Sequence, residues 1–173
     1  MTNSPRGLRS LVQPDLSSCI TRFALTFVAL GFMMLSAQSA VAQDPNADVG
    51  FKTVRLSEGF QADPNSTSLE AGGPNEVSKG GCDYGYVANA PDVDLYYTTS
   101  TATTLYIYAR SSEDTMILVS MPDGSWRCDD DTLGNLDPLL IVRRAPAGLY
   151  DIWVGTIGDN RSATLYISEI DPR

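Results

Sequence analysis

The sequence predicts an all-β fold: an antiparallel, jelly-roll-like β-sandwich closed by one disulfide. Three observations predict it. Short β-prone runs recur from Cys82 to Ile167, separated by Gly, Pro, Asn and Asp. No stretch sustains the 3.6-residue apolar period of a helix. Two cysteines, Cys82 and Cys128, remain once an export signal is set aside, and in an oxidising compartment two cysteines most simply pair.

The export signal comes first in the chain. Arg6, Arg9 and Arg22 precede an apolar run from Phe23 to Leu35, and small residues lead to Ala40-Val41-Ala42. A basic start, an apolar run and an A-x-A site, in that order, mark residues 1–42 as a secretory signal peptide with the mature chain starting at Gln43. The alternative is an uncleaved anchor, but the run is short of the roughly 20 residues that span a bilayer. Cys19 leaves with the signal.

Residues 43–79 are expected to supply N-terminal strands and loops leading into the sandwich. Phe51–Leu56 and Thr67–Ala71 are its strands, and an irregular loop runs from Ala71 to Cys82 through Gly72-Gly73-Pro74 and Lys79-Gly80-Gly81. Residues 80–173 form the sandwich proper. Cys82–Ala88, Val93–Thr98 and Thr104–Ala109 are its first strands. Thr115–Ser120 and Ser125–Cys128 flank the turn Pro122-Asp123-Gly124 and make a hairpin. Leu139–Val142 follows. Leu149–Gly155 is then expected to pair with Ser162–Ile167 across Gly158-Asp159-Asn160.

Charge narrows the function. The 12 basic and 21 acidic residues give a net charge of −9. Removing Arg6, Arg9, Arg22 and Asp15 with the signal leaves 9 and 20, a net −11. That surface repels nucleic acid and anionic lipid and favours cations and basic partners. No nucleic-acid or membrane partner is expected after signal cleavage. With no histidine in the chain there is no Ser-His or Cys-His pair. No enzyme activity is expected; a carboxylate-based hydrolase is the distant alternative.

Two constellations could bind. Asp129, Asp131, Asn135 and Asp137 crowd the stretch after the hairpin, and Asp94 is a further oxygen donor. Oxygen-only ligands select a hard ion, so this set is a candidate Ca²⁺ site, against the alternative of a solvated acidic loop. Tyr106, Tyr108, Trp153 and Tyr166 fall on the outward side if their alternating neighbours face the core. They are either a platform for a polysaccharide or extended peptide, or ordinary cross-strand pairs. Trp126 is expected to pack near the disulfide.

The order of short motifs carries a resemblance. It runs P-D-V-D-L-Y-Y at 91–97, L-Y-I-Y-A at 105–109, D-T-M-I-L-V at 114–119 and P-D-G-S-W at 122–126. D-D-D at 129–131, L-D-P at 136–138 and G-L-Y-D-I-W-V-G at 148–155 continue it. Residues 80 to 170 resemble the bacterial pre-peptidase C-terminal (PPC) domain, a jelly-roll-like accessory module that often trails secreted proteases. The resemblance implies that some members bind calcium or a polymer, and that the aspartate near the head of the first of these strands, Asp94 here, lies near the ion. No protease domain is read ahead of it, so the chain is expected to be a stand-alone exported module, periplasmic or extracellular. It would bind a protein or polysaccharide, or alternatively serve as a structural envelope protein with no dedicated ligand.

Overall fold

A computed structural model describes residues 43–173 except Ser78 and Asp83. The expected signal peptide lies outside the described residues. These residues contain no helix and eleven strands: β1 (Lys52–Ser57), β2 (Asn65–Ala71), β3 (Asn75–Glu76), β4 (Tyr86–Val87), β5 (Val93–Thr98), β6 (Leu105–Ser111), β7 (Thr115–Ser120), β8 (Trp126–Asp129), β9 (Leu139–Val142), β10 (Gly148–Thr156) and β11 (Arg161–Ser168). They form two sheets. A seven-stranded sheet runs β1-β5-β10-β4-β3, with β7 on β10 and β8 on β7. A four-stranded sheet runs β2-β11-β6-β9.

Alternation explains the sandwich. Val93, Leu95 and Tyr97 on β5, Ile117 and Val119 on β7, and Tyr150, Ile152 and Val154 on β10 point to one side of the larger sheet. Leu69, Leu105, Ile107, Leu140, Leu165 and Ile167 answer them from the smaller one. Every second side chain of these strands therefore leaves water for the same core, the main stabilisation a two-sheet fold has. The sandwich starts ahead of residue 80: β1 completes one sheet beside β5, and β2 completes the other beside β11.

The hairpin of β7 and β8 forms as expected, with Met121 N donating to Ser125 O at 2.8 Å and Gly124 N to Met121 O at 2.8 Å. Three expectations change. β10 and β11 do not pair. β10 is already flanked by β5 and β7, so no edge is left, and the turn after Thr156 carries the chain across to the other sheet. β1 pairs β5 in parallel, in an otherwise antiparallel fold. Cys82–Ala88 is a strand only at Tyr86–Val87. Gly85 (φ 140°) turns the chain where a Cβ would meet Met116 Sδ at 2.1 Å, so the segment packs as a loop closely over β7.

That loop has a purpose in packing. Val77, Val87, Met116, Leu118 and Trp153 form a second buried cluster on the outward face of the larger sheet, with Cys82, Trp126 and Cys128 against it. Cys82 and Cys128 are bonded, with Cα atoms 5.4 Å apart, inside the usual disulfide range. Trp126 lies 5.3 Å from Trp153, and Lys79 Nζ sits 4.4 Å above the Trp126 ring. Trp126 is thus where the sequence placed it, beside the disulfide.

Candidate acidic binding site beside the disulfide

The site is built where β8 runs out. Asp129 pairs in register with Ile117, whose side chain points inward, so Asp129 turns toward the smaller sheet. Its Oδ2 accepts from Leu139 N at 2.7 Å and Thr132 N at 3.0 Å, and its Oδ1 accepts from Thr132 Oγ1 at 2.5 Å. One carboxylate thereby ties β8 to β9 and folds the acidic loop. Asp137 is similarly engaged. It is buried, its Oδ2 lies 3.3 Å from Arg110 Nη1, and its Oδ1 accepts from Ser111 N at 3.2 Å. Asn135 and Leu136 take positive φ values of 57° and 64°, and Gly134 bridges to Asp137, closing a tight loop.

The five expected ion ligands are therefore not gathered. Asp129 and Asp137 spend their oxygens on backbone and arginine. Asp94 lies on β5, with β10 and β7 between it and β8. No group of three or more carboxylates or thiols among the described residues has metal-ligand spacing.

The structure gathers a different set. A hollow of about 510 Å³ opens beside the disulfide, lined by Gly81, Cys82, Tyr84, Asp114, Cys128, Asp129, Asp130, Asp131 and Ile157. Gly80 (φ 77°) lets the loop run against β8, where a Cβ would meet the Arg127 carbonyl carbon at 2.7 Å. The disulfide then fixes the wall. Asp130 and Asp131 project from the end of β8, and Asp114 comes from the start of β7 across the hollow. Burial raises the Asp114 carboxyl above its ordinary range, and the charges of Asp131 and Asp130 raise it further. Tyr84, half exposed, stands at the rim, edge-on to Tyr86 at 5.6 Å. Asp114, Asp130 and Tyr84 were missed as site residues. The signal for Asp114 was its place one residue before β7, but only the pairing of β7 with β8 brings it to the triple aspartate.

The four candidate aromatics do not form one platform. Tyr106, Tyr108 and Tyr166 share the outer face of the smaller sheet, where Tyr108 and Tyr166 are cross-strand partners stacked at 4.9 Å with planes 10° apart. Each ring face turned to its partner is closed to a ligand. Trp153 belongs to the other sheet and is wholly buried under the second cluster. It does face away from the main core, but the disulfide-bonded loop covers it.

No protein-family model matches the chain, and no curated protein is significantly similar to it.

Asp129 and Asp131 should now separate by mutation. Asp129→Ala leaves the Leu139 and Thr132 N–H groups without their acceptor and should cost about 1–3 kcal/mol. Asp131→Ala, facing the hollow, should leave the denaturation midpoint nearly unchanged. Equal midpoints for both variants in urea unfolding would refute the structural role given to Asp129.

Proposed function

We propose that the chain is an exported, non-catalytic binding module that receives a cationic side chain of a protein ligand in the acidic hollow beside its disulfide. The observation that carries this is the hollow itself: Asp114, Asp130 and Asp131, with Tyr84 at the rim, around about 510 Å³. That volume admits the end of an arginine or lysine together with its hydrating water. Carboxylates match a guanidinium in pairs, and a tyrosine at the rim adds a cation–π contact. The net charge of −11 after signal removal draws basic partners from a distance. Export is supported by the N-terminal signal pattern and by the bonded cysteines. The accessory role comes from the sequence resemblance of residues 80 to 170 to the PPC domain. A non-catalytic role fits a chain without histidine.

A second reading has its own support. Asp114, Asp130 and Asp131 repel one another, and a Ca²⁺ ion that drew them together from their present wider spacing would relieve that repulsion. In this reading Asp114 and Asp130 replace Asp94, Asn135 and Asp137 as ligands.

Calorimetry separates the readings. An arginine-rich peptide should bind, weaken steeply with salt, and lose most of its affinity to the double variant Asp130→Asn/Asp131→Asn. Binding of CaCl₂ in place of peptide, lost in the same variant, favours the ion. No heat with either would leave a structural envelope protein as the better description.

A further inference from the structure

We propose that Asp94 and Asp151 together hold a small hard divalent cation of the Mg²⁺ class on the outward face of the larger sheet. The site is independent of the acidic hollow.

Strand register builds it. Asp151 on β10 lies directly opposite Asp94 on β5. Thr53 on β1 lies opposite Asp94 on its far side, and Ser120 on β7 lies opposite Asp151. Val54, Leu95, Ile152 and Val119, the next residues along each strand, all face the main core. The four side chains between them therefore share the outward face. One row across four strands reads hydroxyl, carboxylate, carboxylate, hydroxyl. Directly opposed residues place their Cβ atoms about 4.5–5.5 Å apart, close enough for two carboxylates to grip one ion.

Like charges directly opposed across a sheet are destabilising, so the pair needs a reason. Asp151 is 5% exposed, and its Oδ1 is buried without a hydrogen-bond partner. The Oδ1 of Asp94 is likewise buried and unpartnered. Two acceptors without donors, on facing residues, are what a cation between them would satisfy. No amine or guanidinium does so among the described residues. Arg55, one row away, lays its guanidinium 4.1 Å over the Tyr96 ring, and Lys79 caps Trp126. Asp92, one row the other way, already accepts from Val154 N at 2.7 Å.

The donor count selects the ion. Ca²⁺ wants six to eight oxygens, whereas Mg²⁺ is commonly held by one or two carboxylates and keeps several waters. Asp94 is only part-buried, so water can complete the shell from its side. Burial and the charge of Asp94 push the Asp151 carboxyl up to about 6, so a proton competes with the cation in mildly acid solution.

Mn²⁺, a paramagnetic stand-in for Mg²⁺, gives the test. It is titrated into the isotope-labelled protein at pH 7.5, with wild type, Asp151→Asn and Asp130→Asn/Asp131→Asn compared. The expected result is early broadening of the amides of Thr53, Asp94, Asp151 and Ser120, reversed by excess Mg²⁺. Asp151→Asn should lose it, and the hollow variant should keep it. Asp151→Asn should also fold well, since it removes the repulsion. Broadening confined to the hollow would overturn the proposal. So would no broadening at any site, which would leave a carboxylate pair sharing a proton in place of an ion.

Discussion

Reduction of Cys82–Cys128, or its replacement by serines, is expected to cost the fold about 4 kcal/mol. The bridge spans 46 positions, and a closed loop of that length removes roughly 13 cal/mol/K from the unfolded chain in the entropy model. The local consequence adds to the global one. The bridge holds the loop carrying Val77, Cys82 and Val87 over Trp153 and Met116. Without it that loop has no covalent tie to β8, and the largest buried side chain of the protein gains a route to water. Urea unfolding with and without reductant should show a lower midpoint on reduction, and Trp153 fluorescence should shift to the red at denaturant concentrations where the oxidised protein stays folded. Coincident curves would mean that the outer cluster holds together unaided. The hollow has the same dependence, since Cys82 and Cys128 form part of its wall. Reduction should therefore weaken ligand binding even below the unfolding transition.

Stability is expected to peak in mildly acid solution and to fall toward pH 8. Asp92 is buried at the head of β5, and burial raises its carboxyl from 3.8 to about 7 against the opposing effect of the Val154 N–H. Asp151 is raised to about 6. In such a group the folded state keeps a proton that the unfolded chain has released. Stability is then fully present below about pH 4, is lost progressively as pH rises from there through 6 and 7, and levels off above. For Asp92 alone the span from 3.8 to about 7 corresponds to on the order of 4 kcal/mol. Asp92→Asn keeps an acceptor for Val154 N and carries no charge. It should raise the melting temperature at pH 8, leave it nearly unchanged at pH 4, and flatten the profile between. A variant whose melting temperature falls equally at both values would show that the carboxylate is needed as such.

What the sequence revealed and what it hid divide along physical lines. Thr115–Ser120 and Leu139–Val142 are strands with the bounds their β-prone runs suggested, because turn residues flank both. The Pro122-Asp123-Gly124 turn fixed a local hairpin. Nonlocal pairing was not legible. Nothing in Leu149–Gly155 says that both its edges are taken, so a short turn to Ser162 looked like a hairpin and is a crossing between sheets. Alternation told which way Trp153 points, correctly, but not that a glycine-punctuated segment 70 residues earlier would cover it. The acidic loop was visible as composition. Its division of labour was not: Asp129 and Asp137 stitch the loop to β9 and Arg110, while Asp130 and Asp131 remain for the hollow. Nothing around Asp92 in the P-D-V-D stretch reveals that its carboxylate accepts from a residue 62 positions away. Asp151 left one clue unused, a charge in the middle of the apolar run L-Y-D-I-W-V.

The central claim is that the hollow beside the disulfide is where a cationic ligand enters. Chemical-shift mapping tests it most directly. The oxidised, isotope-labelled protein is titrated with an arginine-bearing peptide at low salt, and the perturbed amides are located. The expected result is a contiguous set at Gly81, Tyr84, Asp114 and Cys128 to Asp131. Perturbations spread over the acidic surface in proportion to charge, or centred on Tyr106 and Tyr166 across the sandwich, would contradict it.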